Sequence, residues 1–201
     1  MKKVFIATSR KIGEKCIEWA QANQISGYSL CDNIENADII ISVLYDKIFK
    51  KDILEHKKCY NFHPGILPDY RGTGICSWVI INEEQYHGVT LHVIDEGVDT
   101  GAIIQINKIP VLLSDTAFSL FTKTENIIFE MFQQWYHKLL ASEYTSTKQL
   151  TTNKKPLYKR KHLKYAMNLT KFARAFYFPD KEPPYFYDRS GEKKYIDYGD
   201  K

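Results

Sequence analysis

The stretch Ala37-Asp38-Ile39-Ile40-Ile41-Ser42-Val43-Leu44, followed by Phe49 to Glu55 and then by Lys58-Cys59-Tyr60-Asn61-Phe62, reads as strand, short helix and strand. A short run that is almost wholly apolar and β-branched suits a strand covered on both faces, the situation of parallel sheets. Upstream, Val4-Phe5-Ile6-Ala7 is another such run, and Ile17, Trp19 and Ala20 follow it at helical rather than alternating spacing. This alternation predicts an α/β fold: a Rossmann-like, mostly parallel sheet with helices on both faces. Only one strand and one helix are expected ahead of Ala37, which makes the first half short.

Downstream, Pro64, Gly65, Pro68, Gly72 and Gly74 crowd one segment too tightly for a regular element. The segment is therefore a long loop directly after a strand, the place where open α/β sheets form their ligand crevice. A helix is predicted over Ser77 to Asn82, a strand over Gly88 to Ile94, a turn at Asp95-Glu96-Gly97, and a strand from Ala102 that ends near Pro110. From Thr116 to Leu140, Leu120, Phe121, Ile127, Ile128, Met131, Phe132, Trp135, Leu139 and Leu140 fall on one face of a long helix, with Ser114 or Asp115 as its N-cap. Beyond it the chain turns basic and then aromatic. Tyr185-Phe186-Tyr187 and Lys194-Tyr195-Ile196 could form a hairpin about Arg189-Ser190-Gly191.

With 201 residues, the chain fits one α/β domain over 1–142 and a basic, aromatic-rich appendage over 143–201 that packs on it. A 44% hydrophobic and 26% charged composition excludes disordered and collagen-like classes. The net charge of +4 is mild for a protein that binds nucleic acid, and none is expected as a partner. Cys16, Cys31, Cys59 and Cys76 form no C-x-x-C clip for zinc or redox work. Apolar runs are far below the ~18 residues of a membrane span, and the start does not resemble a signal peptide. A soluble, cytoplasmic protein is expected.

Asn61 and His63 flank Phe62, so in a strand their side chains share one face. Asp99 closes the loop after the strand that holds His92. An amide, an imidazole and a carboxylate can then converge without a serine or cysteine nucleophile, which disfavours a hydrolase relay. The trio suits acyl transfer to a nucleophile that the substrate supplies. Asn61 and a protonated His63 would donate to a tetrahedral oxyanion, while Asp99 raises the imidazole pKa and helps remove a proton from the attacking amine. Each residue alone reads more readily as a satisfied structural group, His92 could equally be core packing, and a metal site on His63, His92 and Asp99 is a further alternative.

The block Asn61-Phe62-His63-Pro64-Gly65-Ile66-Leu67-Pro68-Asp69-Tyr70-Arg71-Gly72, then Trp78, then Gly88 to Gly101 resembles the signature of formyltransferases that use 10-formyltetrahydrofolate. The resemblance implies that Asn61, His63 and Asp99 are the catalytic trio. It also implies a folate pocket at Lys47, Ile48, Phe49, Phe62, Ile94, Asp95 and Val98, with 10-formyltetrahydrofolate as formyl donor and no metal. The family's asparagine usually falls some forty residues later, in line with the short first half.

Members of this family differ in acceptor. Thr8-Ser9-Arg10-Lys11-Ile12-Gly13 lacks the glycine-rich turn of the glycinamide ribonucleotide enzymes, and little chain follows the long helix to form the added barrel of the methionyl-tRNA enzymes. The tail from Phe172 and the Tyr70-Arg71-Gly72 to Trp78 stretch are similar to the sugar N-formyltransferases. That resemblance implies a nucleotide-linked amino sugar as acceptor, a dTDP-4-amino-4,6-dideoxyhexose being the family-like choice. Tyr70, Arg71, Trp78, Phe178 and Tyr185 would bind it, by stacking and charge-assisted bonds, and the appendage would form a homodimer contact. A binding module for folate or nucleotide is the alternative outside catalysis.

Overall fold

The computed structural model describes residues 1–150, 156–165, 169–187 and 190–196. Six strands form one sheet: β1 (Lys2–Thr8), β2 (Tyr28–Leu30), β3 (Ile39–Val43), β4 (Lys58–His63), β5 (Tyr86–Val93) and β6 (Ile103–Pro110), in the order β2-β1-β3-β4-β5-β6. The pairs β2/β1, β1/β3 and β3/β4 are parallel, whereas β4/β5 and β5/β6 are antiparallel. The mostly parallel α/β sheet anticipated from the alternation is therefore present.

One strand was not anticipated. Tyr28–Leu30 adds β2 to the edge beside β1, so two strands precede β3. Three half-buried residues are too few to show an apolar run; Tyr28 instead reaches across to donate from its hydroxyl to the Leu140 carbonyl at 2.8 Å.

Helices cover both faces. On one, α1 (Lys11–Ala22) and α4 (Ala117–Ala141) bury Ile12, Cys16 and Ala20 together with Ile128, Met131 and Phe132 against Val4, Ile39, Ile41, Phe62 and Leu91. Each fully buried Val, Ile, Leu, Met or Phe among them contributes ~1.5–3 kcal/mol over its exposed state. The start of α4 is Thr116 rather than Ser114 or Asp115: its side chain accepts from Ser119 N–H, while the Ser119 hydroxyl accepts from Thr116 N–H. Asp115 instead takes the Ser119 hydroxyl at 2.7 Å and an ion pair from Lys123. On the other face, Ile53 and Leu54 of α2 (Lys51–His56) pack on Ile40 and Cys59.

A second core joins the tail to the domain. Tyr70, Cys76, Val79 and Ile80, the last three in α3 (Ile75–Ile81), pack with Ala117, Leu120, Tyr158 and Ala175. Ala175 lies in α5 (Leu169–Phe176), whose backbone accepts a 2.6 Å bond from Ser77 Oγ. The terminal hairpin pairs β7 (Tyr185–Tyr187) with β8 (Lys193–Tyr195), one residue earlier than expected for the second strand. Arg189 of its expected turn lies outside the described residues. Among the described residues, no helix is long and apolar enough to cross a membrane.

Candidate active site

Alternation in β4 sends Tyr60 and Phe62 into the core under α4 and turns Asn61 and His63 to the opposite face, past the cover that α2 provides for Cys59. Antiparallel register then sets His92 opposite Asn61 and Thr90 opposite His63. Beside His92 the β5/β6 ladder slips, Leu91 pairing with Gln105 and His92 with Ile103. Such a bulge re-aims side chains at sites of this kind.

The loop after β5 supplies Asp99. Because β5 runs against β4, this loop leaves the sheet at the level of Cys59, where Ile94 N–H donates to the Cys59 carbonyl. It then curls back over the sheet face. Asp99 sits at its crest with φ of 53°, in the left-handed region, and its Oδ1 lies 3.5 Å from His63 Nδ1 and 3.7 Å from His92 Nε2. Its Oδ2 accepts the Gly72 N–H at 2.9 Å.

Hydrogen bonds assign the imidazole protons. His63 Nε2 is 2.6 Å from the Tyr70 carbonyl oxygen, an acceptor only, so Nε2 carries the hydrogen and Nδ1 turns its lone pair to Asp99. His92 Nδ1 donates to the Val93 carbonyl at 2.7 Å, which leaves Nε2 to accept Asn61 Nδ2–H at 3.2 Å. One Asn61 N–H is thereby fixed and the other remains for a ligand.

The electrostatics correct one expectation. Burial pushes the His63 pKa below its ordinary value, and the Asp99 charge and the Tyr70 carbonyl only partly oppose that. The resting imidazole at pH 7 is thus neutral, not the protonated donor expected from the carboxylate alone. For Asp99, burial raises the pKa, but His63, His92 and the Gly72 N–H outweigh it and hold the carboxyl at about 2.

The residues expected to line a folate pocket are placed unevenly. Lys47 and Ile48 are exposed on the loop after β3, and Phe49 is stacked on Tyr45 at 5.5 Å. Ile94 is half-buried and Val98 exposed, whereas the Asp95 carboxylate is used inside the loop, accepting from Thr100 Oγ1 at 2.6 Å and from Gly97 N–H. Phe62 is a correction: its ring is fully buried against Phe132 on the far face, since strand alternation turns it away from its two neighbours.

Tyr70 is buried, stacked on Tyr158 at 5.0 Å, and donates its hydroxyl to Glu84 at 2.6 Å; its carbonyl is the group that meets His63. Arg71 follows it, half-buried, and Trp78 tilts on Tyr158 at 5.2 Å, its Nε1 buried with no hydrogen-bond partner among the described residues. Phe178 packs edge-on to Phe118 at 6.0 Å within the second core. Tyr185 meets Tyr195 and Lys193 of its own hairpin.

Three further residues shape the site. Thr90 Oγ1 donates to the Gly65 carbonyl and accepts Leu67 N–H, fixing the start of the 64–74 loop. Tyr158 exchanges backbone bonds with Arg71 and Thr73, and Gln149 bonds the Asp99 turn. His92 was legible as a candidate from its alternation. The two tail contacts, Tyr158 and Gln149, and Thr90 carry no local signal, because pairing with distant segments brings them in.

A sheet that turns antiparallel beside an Asn-x-His strand end, with an aspartate folded back onto the imidazole, defines a class. The formyl transferase family profile matches residues 19–135, and the chain belongs to that family. It is 38% identical to a GDP-perosamine N-formyltransferase of Brucella melitensis, over 59% of this chain and 51% of that protein. The chain thus spans about half the length of the curated relatives it matches. Among solved structures, a sugar N-formyltransferase from Shewanella sp. FDAARGOS_354 superposes with a TM-score of 0.83 at 20% identity, over 98% of this chain and 96% of that one. An N-formyltransferase from Helicobacter canadensis, solved with folinic acid and dTDP-3-aminofucose, gives 0.72 at 23% identity, over 89% of this chain and 81% of that one.

Proposed function

We propose that this chain transfers a formyl group from 10-formyltetrahydrofolate to the amine of a nucleotide-linked amino sugar, a dTDP-4-amino-4,6-dideoxyhexose being the favoured acceptor. The observation that carries this reading is the meeting of Asn61, His63 and Asp99 with no protein nucleophile among them. The nucleophile then has to come from a substrate, and an amine is the kind whose proton such a pair can take.

Asn61 donates its remaining N–H to the oxygen of the tetrahedral intermediate, held in direction by His92. The ionised Asp99 and neutral His63 together accept one proton from the attacking nitrogen. That proton comes to lie between Nδ1 and Oδ1, where an imidazolium is stabilised by the carboxylate on one side and by the Tyr70 carbonyl on the other. The same proton is returned to the folate nitrogen as the carbon–nitrogen bond to the formyl group breaks. Arg71 of the 64–74 loop and the half-buried Trp78 of α3 face the acceptor, and the exposed Ile48 and Val98 lie open to the folate. The comparison with the Brucella protein supports a nucleotide sugar, and the Helicobacter enzyme, solved with folinic acid and dTDP-3-aminofucose, supports the pair of substrates.

The test is incubation with 10-formyltetrahydrofolate and a panel of dTDP- and GDP-linked amino sugars, reading tetrahydrofolate release and product mass. A formylated sugar nucleotide is expected. Turnover with glycinamide ribonucleotide or methionyl-tRNA alone, or folate binding without any transfer, overturns the reading.

A further inference from the structure

Within the exposed run that follows α4, Gln149 is a buried amide, 8% exposed. Just upstream, Thr147 bridges antiparallel to Ile103 through two backbone bonds of 2.8 Å, which brings this run alongside the start of β6 and the turn before it. Its Nε2 donates to the Asp99 carbonyl at 3.0 Å and to the Gly101 carbonyl at 2.7 Å, so one side-chain amide spans the turn. Asp99 occupies the left-handed region that non-glycine residues resist, so the turn needs an external hold. Gly101 has no slack to offer, since a Cβ there would collide with the Val93 carbonyl.

We infer that Gln149 is a positioning residue, which locks the Asp99 turn so that the carboxylate faces His63 Nδ1 and the Gly72 N–H. Its importance for turnover rests on the formyl-transfer reading, but the geometry is testable without any substrate. The groups that face His63 are Asp99, the Tyr70 carbonyl and His92, with His87 further along the same strand as His92. Of these, only Asp99 depends on Gln149. If the turn relaxes, Asp99 swings away and burial acts on the imidazole with less opposition.

The experiment is an NMR titration of His63 in the intact chain and in Gln149→Met, which keeps length and volume but has no donor. The His63 midpoint is expected to fall by at least about 0.5 pH, a change of the size that moving one nearby charge produces. Leu150→Ala, at an exposed neighbour, should leave it in place. An unchanged midpoint in folded Gln149→Met overturns the inference. If Gln149→Met does not fold, the intact chain decides: NMR couplings from the Gln149 amide to the Asp99 and Gly101 carbonyls are expected, and a freely exchanging amide overturns it. Failure of the intact chain to transfer formyl would leave both readouts untouched, which separates the two claims.

Discussion

His63 is held by two groups of opposite demand. The Tyr70 carbonyl requires a hydrogen on Nε2, Asp99 favours a second one on Nδ1, and burial resists that second charge. A pair of this kind is poised to take a proton and give it back. Asp99→Asn and His63→Ala should each lower kcat by roughly 10²- to 10⁴-fold, the usual worth of a positioned acid–base group. His92→Ala removes the anchor of the Asn61 amide and a neighbour of Asp99 but no group that takes the proton, and should cost less, about tenfold, so equal losses at 63 and 92 would count against the division of roles. The pH profile follows from the same pair. Asp99, held at about 2, stays ionised through the working range, so the acid limb belongs to His63. Its midpoint should lie below the ordinary histidine value of 6.5, since burial lowers the pKa, and Asp99→Asn should move it lower still. A midpoint above 6.5 in the pH–rate profile would contradict this.

At the scale of elements, the contact of β5 with α4 carries another buried imidazole, besides His63 and His92. His87 is fully buried, its Nε2 bonds Thr124 Oγ1 at 3.0 Å, and burial pushes its pKa down to about 3. The folded protein keeps His87 neutral down to about that pH, whereas the unfolded chain binds a proton below 6.5. Stability is therefore full above 6.5 and is lost as pH falls toward 3. Thermal melts at pH 7 and pH 5 should show a smaller acid-induced drop for His87→Leu than for the wild type. Much at this scale was legible beforehand. The 3.6-residue period from Leu120 to Leu140 marks α4, and the runs at Val4, Ile39 and Cys59 mark three buried strands. β2 escaped because three residues show no period, and its partner lies over twenty residues earlier. The Asn61 and His63 pairing is a two-residue spacing that any strand converts into a shared face. The neutrality of His63 is not such a property: it depends on how deeply other elements bury the ring.

For the whole molecule, the tail is part of the construction of the site. Tyr158 exchanges backbone bonds with Arg71 and Thr73, Arg174 donates to the Asp115 carbonyl at 2.9 Å, and Ala175 fills the second core. Removing 143–201 would expose Ile75, Ala117 and Leu120 and strip both site loops of these ties. Circular dichroism melts should show a cooperative transition for the intact chain and none for such a truncation, and a sharp transition in the truncated chain would refute this. These ties were invisible to motif reading, because they run through main-chain atoms or through one glutamine fifty residues from the turn that it holds.

One of those main-chain atoms has a wider consequence. The group that fixes the His63 hydrogen is the carbonyl of residue 70, which every amino acid carries, while the side chain at 70 points elsewhere, to Tyr158 and Glu84. Substitution there would disturb the second core, in which that side chain is buried, while the carbonyl that fixes the tautomer is still present. Proton placement and core packing are thus written on different atoms of the same residue, so a change in the side chain at 70 reaches the imidazole only by shifting the backbone of the loop.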